Sequence, residues 1–259
     1  MKWLYLLLGV PAAALLTVGL FRLVPRKPGD ESSHSPVVTT LSGPVTRAQP
    51  GSPTRPPDAG RGAVIATQGT MAGAPACAQC HAFNGVSDAS GAFPRIAGQS
   101  PDYLANQLRD FTSGVRSNAL MSPIARALSP DDIGDVAAYY AGVGAPFLPL
   151  KAPDPDLVKL GETLATVGNG RRQIQSCNNC HGPGGVGLPP AIPYLGGQYS
   201  TYIAFTLREW QRGDRQSSHN QMAVVANKLD KHEIAAVAAY YQQVRSPLVL
   251  AQTQPKKVK

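Results

Sequence analysis

Two short segments of the sequence place two thiols and an imidazole at the same fixed spacing. They read CAQCH at residues 77–81 and CNNCH at residues 177–181, and they contain all four cysteines of the chain. In a C-x-x-C-H segment the thiols lie one helical turn apart and can add across the two vinyl groups of a haem, while the adjoining histidine faces the iron. The sequence therefore predicts two covalently bound haem c groups. The attachment cysteines are Cys77, Cys80, Cys177 and Cys180, and the proximal histidines are His81 and His181.

Two other uses of paired cysteines compete with haem attachment. A structural zinc site could use two C-x-x-C pairs, but the long separation of the two pairs and the histidine directly after each second cysteine do not fit the usual finger spacing. A thioredoxin-like dithiol would need a βαβ setting, whereas the surroundings of both segments have helical periodicity. Haem attachment is the interpretation that explains all four cysteines.

The sixth iron ligand separates an electron carrier from an enzyme, because a methionine ligand raises the reduction potential and blocks substrate binding. The chain has four methionines. Met1 is the initiator and Met71 lies just before the first haem segment, so Met121 and Met222 remain, at equivalent places in two similar halves. We expect both in loops ahead of the last helix of their half, each ligating one iron. The alternative is that they fill gaps in the core.

Three further residues bear on the iron sites. His219 lies three residues before Met222, but its equivalent in the first half is Asn118, so we expect His219 at the surface even though imidazole is a good haem ligand. Pro94 and Pro193 follow the two haem segments at matching positions. Each is expected to present its carbonyl to the Nδ1–H of the proximal histidine, which would fix the tautomer and basicity of that ring. The alternative is that both are ordinary loop prolines.

The helices predicted around the two haem segments repeat in the same order. Each half has helix-starting residues followed by apolar residues at helical spacing. The predicted helix caps are Ser100, Ser129, Asp156 and Asp230, the second and last of these within capping boxes. The predicted buried faces of the two last helices match residue for residue: Ile133, Val136, Ala137 and Tyr140, and Ile234, Val237, Ala238 and Tyr241. The chain therefore contains an internal duplication.

This duplication predicts an all-α fold of two tandem haem domains. We place the first domain at residues 58–147, a hinge at 148–155, the second domain at 156–248 and a basic tail at 249–259. Residues 28–57 form a proline-rich linker, which carries few large apolar residues and is expected to be disordered.

The N-terminal segment, residues 1–27, is predicted to be a membrane anchor. Its apolar run at 3–21 would reach about 28 Å as a transmembrane helix, enough to span a bilayer. A cleaved signal peptide, the alternative, would need a shorter apolar region and a small-residue cleavage site. Arg22, Arg26 and Lys27 follow the run, and the positive-inside rule alone would keep the body in the cytoplasm. Because haem c is attached on the far side of the membrane, we expect the bacterial inner membrane as location, with the haem domains in the periplasm.

The net charge of +8 does not indicate a nucleic-acid partner. Six cations lie between residues 2 and 55 and three between residues 256 and 259, outside the predicted domains. The sequence shows no basic stripe with interleaved aromatic residues, the usual footprint of nucleic-acid binding.

Taken together, these motifs resemble the dihaem class I cytochromes of the cytochrome c4 group. Each haem segment is followed by a P-x-[IL]-[AG]-G-Q segment, PRIAGQ from Pro94 and PYLGGQ from Pro193, then by a helix, a methionine and a terminal helix with AAYY. The resemblance covers roughly residues 62–244. It implies two small all-α haem domains related by an approximate two-fold axis, with their propionate edges facing each other. It also implies His81 and Met121 on one iron and His181 and Met222 on the other.

Two features depart from this group. The loop before Met222 is two residues longer than its counterpart, and Met222 is not followed by the Ser-Pro that follows Met121. Members of the group also usually lack an anchor, whereas an anchor is predicted here.

The leading functional prediction is a periplasmic carrier of single electrons, not an enzyme, between a membrane donor such as a quinol-oxidising complex and an acceptor such as a haem–copper oxidase. An electron-accepting subunit of a membrane dehydrogenase is the alternative. A dihaem enzyme of the peroxidase or thiosulfate dehydrogenase type is disfavoured by the two methionines.

Overall fold

The computed structural model describes residues 52–88 and 90–245. The predicted membrane span at 3–21, most of the predicted linker at 28–57 and the predicted tail at 249–259 lie outside these residues. Within the described ranges, no helix is both long and apolar enough to cross a membrane. The described residues form two mostly helical halves, each with one C-x-x-C-H segment.

The two halves contain the same five α-helices in the same order, as the duplication predicts. The first half has α1 (Ala59–Gln68), α2 (Ala78–His81), α3 (Pro101–Ser113), α4 (Met121–Arg126) and α5 (Pro130–Gly142). The second half has α6 (Pro155–Thr166), α7 (Asn178–His181), α8 (Ser200–Arg212), α9 (Gln221–Ala226) and α10 (Lys231–Gln243). One-turn 3-10 helices lie at Gly170–Arg172, Pro183–Gly185 and Ser218–Asn220.

The second half also contains a small β-hairpin, which the all-α prediction does not include. Its strands are β1 (Gly168–Asn169) and β2 (Ile174–Gln175), paired antiparallel immediately before α7. The segment between the first helix and the first haem cysteine spans residues 69–76 in the first half and 167–176 in the second. The longer segment gives the second half room for a hairpin that the first half does not form.

Most of the predicted helix caps are confirmed. Ser100 accepts a hydrogen bond from the Tyr103 amide, and capping boxes are present at Ser129 and at Asp230. The prediction that Asp156 caps the first helix of the second half was wrong. The cap is Asp154, whose side chain accepts from the Asp156 amide across a proline at the first helical position. That proline is favourable there because its missing N–H would have no partner in the helix.

In each half the first helix packs against the last one at a glycine. A Cβ atom added at Gly62 of α1 would lie 2.1 Å from the carbonyl oxygen of Asp135 in α5. A Cβ atom at Gly161 of α6 would lie 2.0 Å from the carbonyl oxygen of Ala236 in α10. Neither position has room for a side chain, so both crossings depend on the absence of one.

The faces predicted to be buried on the last helices are confirmed in both halves. All eight residues are buried, and each set packs into the hydrophobic core of its own half. Apolar residues of α3 and α8 also pack into these cores, Leu104 and Leu108 in the first half and Ile203, Leu207 and Trp210 in the second. On α3 Leu104 and Leu108 are half-buried and Phe111 is buried, whereas on α8 Ile203, Leu207 and Trp210 are all buried.

The described end of the predicted linker packs against α5. Thr54 donates hydrogen bonds to Asp131 from both its amide and its hydroxyl group. Arg55 forms a two-pronged pair with the buried carboxylate of Asp135, at 2.9 and 2.7 Å. In the second half, the position equivalent to Asp135 is Ala236, so this attachment is specific to the first half.

The segment that joins the two halves is held by an aromatic ring that contacts two cations. The guanidinium groups of Arg95 and Arg245 each lie 4.5 Å from the centre of the Phe147 ring. The same ring covers Gly197, where a Cβ atom would lie 2.0 Å from the ring. Arg95 also donates to the carbonyl of Pro146 at 2.8 Å. Residues of both halves therefore fix this connection.

Candidate haem sites

The two C-x-x-C-H segments form the short helices α2 and α7. The amide of His81 donates to the carbonyl of Cys77 at 2.9 Å, and that of His181 donates to Cys177 at the same distance. This single helical turn places each proximal histidine beside its first cysteine. Cys77 and Cys177 are half-buried while Cys80 and Cys180 are exposed. Burial raises the pKa of the Cys77 thiol, and it raises the pKa of Cys177 to about 11.

Both proximal histidines are buried and held by a proline carbonyl. Nδ1 of His81 lies 3.3 Å from the carbonyl oxygen of Pro94, and Nδ1 of His181 lies 2.9 Å from that of Pro193. These bonds occupy Nδ1 and leave Nε2 as the nitrogen able to bind a metal. Desolvation lowers the pKa of both imidazoles against the opposing effect of the proline carbonyls. The neutral ring, which is the ligating form, is therefore favoured.

Met121 and Met222 lie on short helices and not in loops as predicted. Met121 is the first residue of α4 and Met222 the second residue of α9, and both are half-buried. The side chain of Asn118 accepts hydrogen bonds from the amides of Leu120 and Met121 at 3.0 and 2.9 Å, and this fixes the turn that leads into α4. The two extra residues of the second half fall in the turn just before α9, where three consecutive residues have positive φ: Ser218, His219 and Asn220.

One apolar cavity of about 1040 Å³ connects the predicted residues of both halves. Pockets for a single small ligand occupy roughly 300–1,000 Å³, so this cavity lies at the upper end of that range. The lining contains every predicted cysteine, histidine, methionine and proline of the two sites: Cys77, Cys80, His81, Pro94, Met121, Cys177, Cys180, His181, Pro193 and Met222. The competing ligand His219 is exposed and is not part of the lining.

Two buried arginines cross between the halves beside this cavity. Arg116 of the first half donates to Tyr202 at 3.2 Å and to Glu209 at 2.7 Å in the second half. Arg215 of the second half donates to Tyr103 at 3.1 Å in the first half. Each arginine is only 3% exposed. The reciprocal contacts are those expected from two halves related by approximate two-fold symmetry.

Four buried donor atoms in the lining lack a hydrogen-bond partner among the described residues. They are Nε of Arg95, Nε of Arg116, Nη1 of Arg215 and Nε1 of Trp210. A buried donor without a partner costs about 1–3 kcal/mol, and more when the group is charged. The two anionic propionate groups of a haem are acceptors of the kind that these atoms need. The residues present therefore fit haem in shape, in ligand type and in charge.

Comparison with known proteins identifies the family. No family model matches the chain. Over 175 residues the chain is 37% identical to cytochrome c4 of Pseudomonas aeruginosa, which covers 66% of this chain and 85% of that protein. The chain belongs to the cytochrome c4 family. This cytochrome is also 38% identical over 185 residues to a thiosulfate dehydrogenase electron acceptor of Stutzerimonas stutzeri, covering 71% of this chain and 86% of the relative.

Solved structures agree with this assignment. Reduced recombinant cytochrome c4 from Pseudomonas stutzeri matches the cytochrome with a TM-score of 0.64 and 31% identity, covering 73% of this chain and all of that one. A thiosulfate dehydrogenase from Marichromatium purpuratum, in its as-isolated form, matches with a TM-score of 0.66 and 40% identity. That match covers 71% of the cytochrome but only 39% of the dehydrogenase chain. The predicted resemblance and the two covalently bound haem c groups are thus confirmed.

The predicted site does not include the buried arginines of this cytochrome. A signal for them is present in the sequence, because both follow the third helix of their half in a G-x-R triplet, at Gly114 to Arg116 and at Gly213 to Arg215. In each triplet the glycine has a left-handed backbone conformation and ends the helix. The residues after it pair with the other half, where the amide of Ser117 donates to the carbonyl of Asp214 at 2.7 Å. Only the contact between the halves gives this triplet its role.

Proposed function

We propose that this cytochrome carries single electrons in the periplasm, and that His81 and Met121 would hold the haem iron of the first half and His181 and Met222 that of the second. Membership of the cytochrome c4 family supports electron transfer in general. The bound haems supply the one-electron Fe(III)/Fe(II) couple. The observation that carries the ligand assignment is that both methionines occupy equivalent positions, line the same cavity as the buried histidines, and have no histidine competitor in that lining.

The chain's own residues serve this role by restricting the metal environment. Burial and the proline carbonyls keep the histidine rings neutral and fixed, with Nε2 available. The cavity lining is largely apolar, and a methionine ligand would leave no position on the iron for a substrate. This arrangement supports an electron carrier over a dihaem enzyme.

The ligand assignment is tested by near-infrared absorption of the oxidised protein. We expect the sulfur-to-iron charge-transfer band at the intensity of two His/Met haems. Met121→Ala and Met222→Ala should each remove about half of that intensity, while Met71→Ala, an exposed methionine outside the cavity, should leave it unchanged. Intensity for one haem in the wild type, or a high-spin signal from the second half, would contradict the role of Met222 and favour an enzyme.

The proposed donor is a membrane quinol-oxidising complex or a dehydrogenase, and the proposed acceptor is a haem–copper oxidase. A second candidate is an electron acceptor of a thiosulfate dehydrogenase, because two of the matched relatives bear that name. Stopped-flow reduction distinguishes the two. Fast reduction by a thiosulfate dehydrogenase in the presence of thiosulfate, with slow reduction by quinol-oxidising membranes, would select the second candidate.

We propose in addition that residues 1–27 anchor the protein in the inner membrane and that a linker precedes domains at 58–147 and 156–248. The apolar run at 3–21 and the proline-rich composition after it support this arrangement. Mass spectrometry of the protein purified from membranes would report the haem count and retention of the anchor together. A mature protein that begins after Arg26 and is released from membranes by salt would exclude the anchor.

A further inference from the structure

Each P-x-[IL]-[AG]-G-Q segment ends in a buried glutamine that bonds to the other half. Gln198 of the second half accepts from the amide of Arg95 at 2.9 Å and donates to the carbonyl of Arg95 at 2.8 Å. Gln99 of the first half accepts from the amide of Tyr194 at 3.2 Å and donates to its carbonyl at 3.3 Å. Both glutamines are 5% exposed. The two contacts are reciprocal, and neither glutamine side chain is directed to solvent.

The amide that each glutamine binds belongs to the peptide group that holds a proximal histidine. The Arg95 N–H and the Pro94 carbonyl are the two ends of one planar peptide unit, and that carbonyl lies 3.3 Å from Nδ1 of His81. In the second half the Tyr194 N–H and the Pro193 carbonyl form the equivalent unit, 2.9 Å from Nδ1 of the histidine there. One peptide group thus connects each proximal histidine to a glutamine of the opposite half.

We infer that Gln198 and Gln99 are positioning residues that lower the reduction potential of the haem in the opposite half. The inference rests on the proposed ligation by His81 and His181. A hydrogen bond accepted from one end of a peptide polarises the group and strengthens the bond at its other end, by about 10–30% per bond. A stronger bond to Nδ1–H raises the basicity of the imidazole, which stabilises the ferric state.

The competing explanation is that the glutamines only hold the two halves together. A nearby contact provides the matched control, because Thr201 donates across the same interface to the carbonyl of Gly91 at 3.0 Å. The hydroxyl group of Thr201 makes no hydrogen bond to either of the two histidine-binding peptides among the described residues. Thr201→Val therefore weakens the interface while leaving both Pro94 and Pro193 peptides with their glutamines.

The experiment measures both midpoint potentials of the haem-loaded protein, resolved haem by haem by NMR, in Gln198→Leu, Gln99→Leu and Thr201→Val. Gln198→Leu should raise the potential of the first haem, with a change of about two- to tenfold in its redox equilibrium constant, which is about 18 to 59 mV for one electron. Gln99→Leu should do the same to the second haem. Its bonds are longer, so we expect the smaller shift there.

A second readout follows the bond itself. Both proteins are compared in the reduced state. From the wild type to Gln198→Leu, the Nδ1–H proton resonance of His81 should move in the direction of a weaker hydrogen bond, while that of His181 should move less. If Gln198→Leu does not load haem, Gln198→Asn keeps the amide but is one methylene too short, and the same shifts are expected.

Three outcomes would overturn the inference: unchanged potentials, equal shifts of both haems, or shifts as large in Thr201→Val. The near-infrared band separates this failure from failure of the proposed function. Suppose that the wild type shows the band intensity of two His/Met haems, but the glutamine variants do not shift the potential of the haem in the opposite half. The proposed electron carrier then stands, and only the effect of the glutamines on the potentials is excluded. A wild type without that band removes the ligation on which the tuning depends.

Discussion

Replacing Asp135 by alanine tests how the N-terminal end of the first half is attached. The carboxylate is fully buried and accepts hydrogen bonds from Arg55 at 2.9 and 2.7 Å, from Arg61 at 3.1 Å and from the Asp58 amide at 2.6 Å. The second acid on the same helix face, Asp131, binds Thr54 and lies 3.6 Å from the Arg55 guanidinium. Every group that faces Asp135 in this cluster is therefore a donor, a cation or an acid with its own partner.

The expected loss of stability in Asp135→Ala follows from the ionisation of this carboxyl group. Burial opposes its charge, but the hydrogen bonds from Arg55, the Asp58 amide and Arg61 outweigh that effect and lower its pKa to about 2 from the ordinary 3.8. At about 1.36 kcal/mol for each pKa unit, the charged form contributes about 2 kcal/mol to the free energy of unfolding. Because the folded pKa is the lower one, this contribution is complete above about pH 5 and is lost as the pH falls from about 4 to about 2.

The assay is urea unfolding of the haem-loaded wild type and Asp135→Ala at pH 6 and pH 3. The pH-dependent part of the stability difference should fall from about 2 to about 1 kcal/mol between these two pH values. Asp102→Ala, which removes an exposed acid from the first turn of α3, is the control and should show a smaller difference. A stability difference for Asp135→Ala that is the same at both pH values would refute the reasoning.

Two further predictions concern the helix crossings and the surface charge. Gly161→Ala should lower the free energy of unfolding by about 1–3 kcal/mol because its Cβ would meet the Ala236 carbonyl. Gly142→Ala should raise the free energy of unfolding by about 0.5–1 kcal/mol, because the added Cβ would meet no atom of another element within 4 Å. Equal effects of the two alanines would contradict the crossing. The two halves differ in charge: residues 147–247 hold ten cations and seven acids, and residues 58–146 hold five cations and seven acids. Because salt screens such charges, electron exchange with at least one physiological partner should slow as ionic strength rises. Salt-independent rates with both donor and acceptor would contradict this.

The parts of the structure that the sequence predicts are those specified within a few residues. The haem segments, the capping boxes at Ser129 and Asp230 and the buried faces of α5 and α10 depend on spacings of three or four positions. The error at Asp156 is also local, because two acids flank a proline and either could precede the helix. The helical setting of Met121 depends on Asn118, whose side chain binds the following amides, and asparagine alone does not distinguish a helix start from a loop.

The remaining parts depend on contacts between residues about one hundred positions apart. The pattern P-x-[IL]-[AG]-G-Q marks Gln99 and Gln198 as repeated residues, but their partners lie in the other half and follow only from how the halves pack. The same is true of Arg116 and Arg215, which look like solvent-exposed cations in the sequence. Their burial becomes understandable once their aromatic and acidic partners are in place.

The contacts of the Phe147 ring have a consequence for how a partner protein docks on this cytochrome. The ring contacts two guanidinium groups and a glycine, and so it ties the connecting segment to both halves at once. We therefore expect a protein that docks on one half to set the orientation of the other half as well. The distance between the two haem sites would then be set by folding and would stay the same from one encounter to the next.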